Sequence, residues 1–203
     1  MNVLSLFDGM SCGQIALNKI GVNYDNYFAS EIDKHAIKIT QKNYPKTIQI
    51  GDVTKVSFKD GILYTEKGKF NIGKVDLLMG GSPCQGFSFG TKRGSELNFE
   101  DPRSKLFFEY VRILNECKPK YFLLENVKMR KIYQNVFNNI LKITPLKINS
   151  AFFSAQHRDR LYWTNILNVK SIPEIKNKML LKDVLDKPLA PERYIPFKKN
   201  HLF

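Results

Sequence analysis

Cysteine is scarce in this chain: three residues, at 12, 84 and 117, odd in number and far apart. That pattern excludes a disulfide framework and a four-ligand zinc site, and it predicts a reducing compartment and no bound metal. No apolar stretch approaches the roughly 20 residues that a membrane-spanning helix needs. Met1 leads into the apolar run Val3 to Phe7 without a charged leader, so neither export nor membrane insertion is expected. Internal repeats and low-complexity segments are also missing. Acidic residues are outnumbered, 19 against 32 Lys and Arg, for a formal net charge of +13. An excess of that size points to a polyanionic partner such as nucleic acid, although abundant Lys, Asn and Ile also suits an AT-rich coding genome, and surface lysines are more often simply solvated.

At 203 residues the chain has room for one substantial core. Short apolar runs alternate with segments of helical spacing. Val3 to Phe7, Tyr27 to Ser30, Thr47 to Ile50, Val75 to Met79 and Tyr121 to Leu124 read as strands. Gln14 to Ile20, Asp33 to Asn43, Lys105 to Glu116 and Lys128 to Ile143 read as helices. Two further β-rich stretches, Leu146 to Phe153 and Leu161 to Ile166, suit an antiparallel edge. The alternation predicts an α/β fold, a doubly wound and mostly parallel sheet, over residues 1–170. From 171 to 203 prolines and lysines dominate, and this part reads as a connector or a loosely docked tail.

The most informative segment is Gly80 to Ser88, in which Cys84 follows Pro83 amid glycines at the end of the run Val75 to Met79. Strand exits of this kind are where ligands bind in open α/β sheets, so Cys84 reads as a nucleophile rather than a packing residue. Cys117, late in a helix, reads as a small hydrophobe, and so does Cys12.

A second ligand-facing region begins at the exit of the first strand. Phe7, Asp8, Gly9, Met10, Ser11 and Gly13 form a turn that opens a helix, where backbone amides can approach a ligand. Such a turn is also used for geometry alone. Glu31, at the second strand exit, is placed to bond ribose hydroxyls, and Asp52, at the third, to accept from an exocyclic adenine amine. Singly, each acid reads as a solvated carboxylate or helix cap. Their joint placement predicts one nucleoside-sized cleft.

Glu125, Asn126 and Val127 after the fifth strand, and Gln156 to Arg160 before the last, complete the pattern. With Pro83, Cys84 and Gln85 these blocks make the chain resemble the C5-cytosine DNA methyltransferases, which use S-adenosylmethionine on a Rossmann-like class I methyltransferase fold. Asp101 to Phe108 and Lys118 to Leu124 add support, so the likeness runs from residue 3 to about 166. In the first motif, Ser11 and Cys12 stand where bacterial members often carry glycines, a version similar to that of eukaryotic de novo enzymes.

The resemblance implies Cys84 as the thiolate that attacks cytosine C6, activating C5 for methylation. It implies Glu125 on the base edge at N3, Arg160 at O2 and orienting that carboxylate, Arg158 supporting the thiolate, and Asn126 and the Pro83 backbone shaping the pocket. To the cofactor it assigns the turn residues named above, with Glu31 and Ile32, Asp52 and Val53, and Gly81 and Pro83. The structural alternative for Glu125 and Arg160 is an ordinary ion pair, with Asp159 satisfying either arginine. Because C6 is hidden in a duplex, the base must flip out. Gly86 to Arg103, with Gly90, Gly94, Lys92 and Arg93, is the expected moving loop.

Family members normally continue into a target-recognition region and a C-terminal block beside the first strand. Asp183 to Leu185 and Arg193 to Pro196 resemble the approach to that region. A gene truncation, one subunit of a split enzyme whose second polypeptide supplies the remainder, and a minimal self-sufficient enzyme are all compatible with this. The expected setting is the cytoplasm of a bacterial or phage-infected cell, associated with the nucleoid and with double-stranded DNA as partner. Cytosine methylation in transfer RNA, a non-catalytic cofactor- or DNA-binding remnant, and a nicotinamide-dependent oxidoreductase are the competing readings. The last gives no reason for the cysteine motif.

Overall fold

A computed structural model describes residues 1–83, 102–166, 180 and 183. The chain opens with β1 (Asn2–Leu6), α1 (Cys12–Lys19), β2 (Asn26–Ser30), α2 (Lys34–Asn43) and β3 (Ile48–Gln49). After a 3-10 turn (Val53–Lys55) come β4 (Ser57–Lys59), β5 (Ile62–Thr65) and β6 (Gly68–Asn71). Then follow β7 (Leu77–Gly80), α3 (Pro102–Cys117), β8 (Tyr121–Val127), α4 (Lys131–Leu141), β9 (Leu146–Asn149), a 3-10 turn (Ser150–Phe152) and β10 (Asp159–Thr164).

Seven strands form one sheet in the order β3-β2-β1-β7-β8-β10-β9. The pairs β3/β2, β2/β1, β1/β7 and β7/β8 are parallel, and β10 runs antiparallel to β8. The doubly wound expectation therefore holds. Strand order reverses on either side of β1, and the crevice at such a switch point is where open sheets bind ligands.

Alternation along the central strands divides the core into two layers. Leu4, Leu6, Phe28, Leu78, Phe122 and Leu124 point to the side covered by α3 and α4, which contribute Phe107, Tyr110, Ile113, Phe137 and Leu141. Phe107 stacks on Phe137 with ring centroids 3.7 Å apart, and Trp163 of β10 closes the group. Val3, Tyr27, Ala29, Leu77 and Met79 point to the other side, against Leu17 of α1. Cys117 is buried in the first layer, and burial pushes its thiol up to about 12, so the packing reading fits.

Three sequence expectations need correction. Cys12 is exposed, because α1 starts there and turns Ser11, Gln14 and Leu17 inward instead. β8 does not stop at Leu124: Glu125, Asn126 and Val127 are strand residues paired with Tyr162, Leu161 and Arg160. α3 begins at Pro102, not Lys105, with proline in the first turn, where its missing N–H costs nothing.

The antiparallel sheet β4-β5-β6 has no counterpart in the sequence reading. Leu63 is buried, and Phe58 and Phe70, its register partners, pack on the first core layer, while Lys59, Tyr64 and Lys69 take alternate positions. Arg112 of α3 anchors the chain ahead of β4. Its Nη2 donates to the Val56 carbonyl at 2.8 Å and its Nη1 to Glu116 Oε1 at 2.8 Å, and Glu116 Oε2 accepts from the Phe58 N–H.

The chain divides into two compact units: Met1–Ile148 with Asp159–Ile172, and Asn149–Arg158 with Pro173–Phe203. In the second, Arg158 N–H donates to Asn149 Oδ1 at 3.2 Å and its carbonyl accepts from Ser150 N–H. The division expected between 170 and 171 lies outside the described residues.

Gly80 ends β7 with no room for a side chain. A Cβ there would stand 2.8 Å from two atoms of the Tyr110 ring and 3.1 Å from the Leu6 carbonyl oxygen. Gly80→Ala is expected to lose about 1–3 kcal/mol of stability through overpacking. Urea unfolding checks this, and Tyr110→Leu in the same chain should restore part of the loss; an unchanged midpoint would mean that the ring moves aside freely.

Candidate functional site

The exits of β1, β2, β3 and β7 meet around a cleft of about 310 Å³. Phe7 comes from the first exit, Ser30, Glu31 and Ile32 from the second, Asp52, Val53 and Thr54 from the third, and Pro83 from the fourth, with Leu106 added by α3. Six residues expected from the sequence thus line one cavity. Its apolar wall of Phe7, Ile32, Val53 and Leu106 beside two carboxylates suits a ligand with a flat apolar body and a few polar groups. Ser30, Thr54 and Leu106 were not foreseen. Leu106 was legible only as one position of a helix face.

The β1–α1 turn is strained in a regular way. Phe7, Gly9 and Ser11 have φ of 56°, 58° and 62°, and two of the three carry side chains. Left-handed backbone costs a non-glycine residue roughly 1–2 kcal/mol, so other contacts must hold the turn. Glu31 supplies some of them. Its Oε2 accepts from the Gly9 N–H at 2.8 Å, and its Oε1 from the N–H groups of Ile32 at 2.8 Å and Asp33 at 2.9 Å. Thr40 of α2 donates to the Gly9 carbonyl at 3.3 Å.

Not every expected turn residue faces the cleft. The Asp8 carboxylate is buried and accepts from Ser5 Oγ, Ser11 Oγ and the Tyr27 hydroxyl at 2.6, 2.5 and 2.7 Å. Burial raises its pKa above the ordinary carboxylate value, with the hydroxyl donors pulling the other way. Gly13 lies against the sheet, where a Cβ would stand 2.7 Å from Met79 Cε and 2.8 Å from the Tyr27 hydroxyl oxygen. Met10 is exposed. Asp52 caps the 3-10 turn through the Thr54 N–H at 2.9 Å.

The second group of expected residues lies at the ends of β7 and β8. In antiparallel register Glu125 faces Tyr162 and Val127 faces Arg160, which makes Glu125 and Arg160 diagonal neighbours on one face. Arg160 Nε lies 2.7 Å from Glu125 Oε1, with the N–H directed off the line to the oxygen, so the contact is an ion pair rather than an aligned hydrogen bond. Arg160 Nη1 donates to its neighbour's carbonyl, and the Asp159 carboxylate lies 3.4 Å from Lys147 Nζ. A Cβ on Gly81 would stand 3.2 Å from Glu125 Oε2, so the bare glycine leaves that oxygen its space.

Asn126 points to the opposite, buried face. Its Nδ2 donates to the Ser82 carbonyl at 3.2 Å and Ser82 Oγ at 3.1 Å, and its Oδ1 accepts from the Val127 N–H at 2.8 Å. It fixes the chain two residues before Cys84. Ser82 lies inside the segment Gly80 to Ser88, but nothing in its residue type signals this tether. Asn126→Ala is expected to cost about 1–3 kcal/mol by leaving buried backbone and hydroxyl groups without partners. Urea unfolding measures it, and an unaltered midpoint would show that Ser82 needs no tether.

Cys84, Gln85 and positions 86–101 of the expected moving loop, with Gly86, Gly90, Gly94, Lys92 and Arg93, lie outside the described residues, as do 184–185 and 193–196. Arg158 belongs to the second unit. Among the described residues no cluster of three or more His, Cys, Asp or Glu could hold a metal, and no helix is long and apolar enough to cross a membrane.

Comparison with known proteins follows the same geometry. The C-5 cytosine-specific DNA methylase family model matches residues 1–194. The chain is 37% identical over 175 residues to the orphan methyltransferase M.SPRI of Bacillus phage SPR, covering 80% of this chain and 37% of that protein. It is 34% identical to the type II methyltransferase M.NgoBV of Neisseria gonorrhoeae, covering 98% of this chain and 49% of that protein. A crystal structure of a proposed DNA modification methyltransferase encoded within an E. coli prophage superposes with a TM-score of 0.67 at 25% identity, covering 90% of this chain and 53% of that one. The chain thus spans half or less of the length of these two curated relatives.

Proposed function

Since the chain belongs to the C-5 cytosine-specific DNA methylase family, we propose that it acts in methyl transfer from S-adenosylmethionine to C5 of cytosine in double-stranded DNA. The observation that carries this reading is the placement of Glu125 against Arg160 and of Asn126 on Ser82, the chain neighbour of Pro83, which lines the cleft.

The cleft fits the cofactor's nucleoside. Phe7, Val53, Ile32 and Leu106 would enclose the adenine, Asp52 would accept from its amine, and Glu31 would bond the ribose. Glu31 already serves three backbone N–H groups, and a carboxylate has about four acceptor positions. One ribose hydroxyl would fill the remaining position, and a second would displace an N–H. When bound, S-adenosylmethionine supplies an electrophilic methyl group on sulfur.

The protein's own part is to make cytosine C5 nucleophilic. The Cys84 thiolate bonds C6, and the electron pair displaced from the ring double bond is available at C5. Glu125 hydrogen-bonds N3 and Arg160 the O2 side, which stabilises charge where it develops. Once C5 carries the methyl group, transfer of the C5 proton to water or hydroxide and departure of the Cys84 thiolate from C6 would restore the ring double bond. The +13 charge suits a DNA partner. The relatives' length beyond the match suggests that target-sequence recognition is carried by segments outside these blocks, on this polypeptide or a second one.

The test is transfer of labelled methyl from S-adenosylmethionine to unmethylated duplex DNA, with transfer RNA alongside. Incorporation into DNA alone is expected. Label in transfer RNA alone would move the substrate to RNA, and no label with either polymer would count against turnover by this chain.

A further inference from the structure

Behind the strained β1–α1 turn lies a buried set of polar groups larger than one carboxylate requires. Asp8 takes three hydroxyl donors, from Ser5, Ser11 and Tyr27. Ser11 Oγ, which donates to Asp8, also accepts from Gln14 Nε2 at 2.8 Å. The same amide nitrogen donates to Thr47 Oγ1 at 2.8 Å, and Gln14 Oε1 accepts from the Tyr24 hydroxyl at 2.9 Å. Ser11 would ordinarily cap α1, yet its side chain makes no cap bond and turns to Asp8 instead.

Two independent features converge on the Tyr27 hydroxyl. It is one of the three donors to Asp8, and it sits where a Cβ on Gly13 would stand 2.8 Å away. Helix α1 therefore comes down over this hydroxyl only because residue 13 has no side chain. Tyr27 is 2% exposed and does not line the cleft. A phenylalanine would bury the same ring and satisfy the packing, so the hydroxyl serves something that packing does not require.

We infer that Tyr27 is a positioning residue for the methyl-donor cofactor, acting through Asp8 to hold the left-handed turn that presents Phe7 to the cleft. This rests on the function proposed above. With the hydroxyl removed, Asp8 keeps two donors, the turn samples other backbone conformations, and apparent affinity falls with the fraction of molecules that stay competent. Tyr110 provides the control. It is as deeply buried, and its hydroxyl has no hydrogen-bond partner among the described residues, so Tyr110→Phe deletes an oxygen that holds none of them.

The experiment is calorimetric titration of the purified chain with S-adenosylmethionine, for wild type, Tyr27→Phe, Tyr110→Phe, Asp8→Asn and the Asp8→Asn/Tyr27→Phe double variant. Tyr27→Phe is expected to raise Kd about tenfold, equivalent to about 1.4 kcal/mol, and Tyr110→Phe to leave it unchanged. The double variant should bind no more weakly than Asp8→Asn alone, because the two groups act in series. That non-additivity in Kd is a signature that general loss of stability would not produce. Equal binding by wild type and Tyr27→Phe, or fully additive losses, would overturn the inference and leave the proposed function standing. No binding by wild type would remove both.

Discussion

Cys84→Ser is expected to lower methyl transfer to duplex DNA by about three orders of magnitude or more, with S-adenosylmethionine bound as tightly as by wild type. The two effects separate because most of the groups that would hold the cofactor, Phe7, Glu31, Asp52 and their neighbours, come from other strand exits, and Pro83, which lines the cleft from the fourth, is unchanged in the variant. A thiol with pKa about 8.5 is a few per cent thiolate at neutral pH and a strong nucleophile in that form. A serine hydroxyl lacks an accessible anion at that pH. Single-turnover transfer with saturating cofactor measures the loss, and calorimetry measures the binding. Transfer by the serine variant within tenfold of wild type would remove Cys84 from the mechanism.

The second large effect is expected at Glu125. Glu125→Gln keeps the size of the side chain and removes its charge. If the carboxyl stabilises developing charge at the base edge, turnover falls by about a hundredfold to a thousandfold while cofactor affinity stays within twofold. The competing reading, a structural ion pair with Arg160, gives the opposite pattern: stability drops because the partly buried guanidinium loses its partner, and turnover per folded molecule is retained. Measuring turnover and urea unfolding on the same preparation decides between them. Retained turnover with lowered stability would make Glu125 structural.

The two sites were legible in the sequence to different degrees, for physical reasons. Cys84, Glu125 and Arg160 stood out because polar or reactive residue types beside apolar strands are conspicuous. Glu125 and Asn126 nonetheless ended the expected strand too early, since their charge and polarity look like a loop until Tyr162 and Leu161 are seen opposite them. β1, β2 and β7 were plain because they are buried on both faces. The sheet β4-β5-β6 was missed because its three- and four-residue strands alternate single core side chains with lysines and turns. Asp60 followed by Gly61, and Lys67 followed by Gly68, were turn signals that went unread, and Asp60, Gly61 and Gly68 all have positive φ. Tyr27 looked like core, which it is, and no pattern announces that a core ring carries its hydroxyl to a buried carboxylate. Gly13 reads as a ligand glycine in sequence and stands in the structure as the space that the hydroxyl occupies.

The place of β1 in the sheet sets a timetable for biosynthesis. Among the described strands this one is synthesised before the others, and β2 covers one of its edges after some 25 residues, but its other edge waits for Leu77–Gly80. At the roughly 5–20 residues per second of a ribosome, that edge stays open for about 4–15 seconds while the intervening segment emerges. An exposed row of strand N–H and C=O groups is a template for pairing with another chain. Slowing translation between β2 and β7 should therefore raise the aggregated fraction of newly made protein, whereas the same delay after β10, when β8 is covered as well, should not.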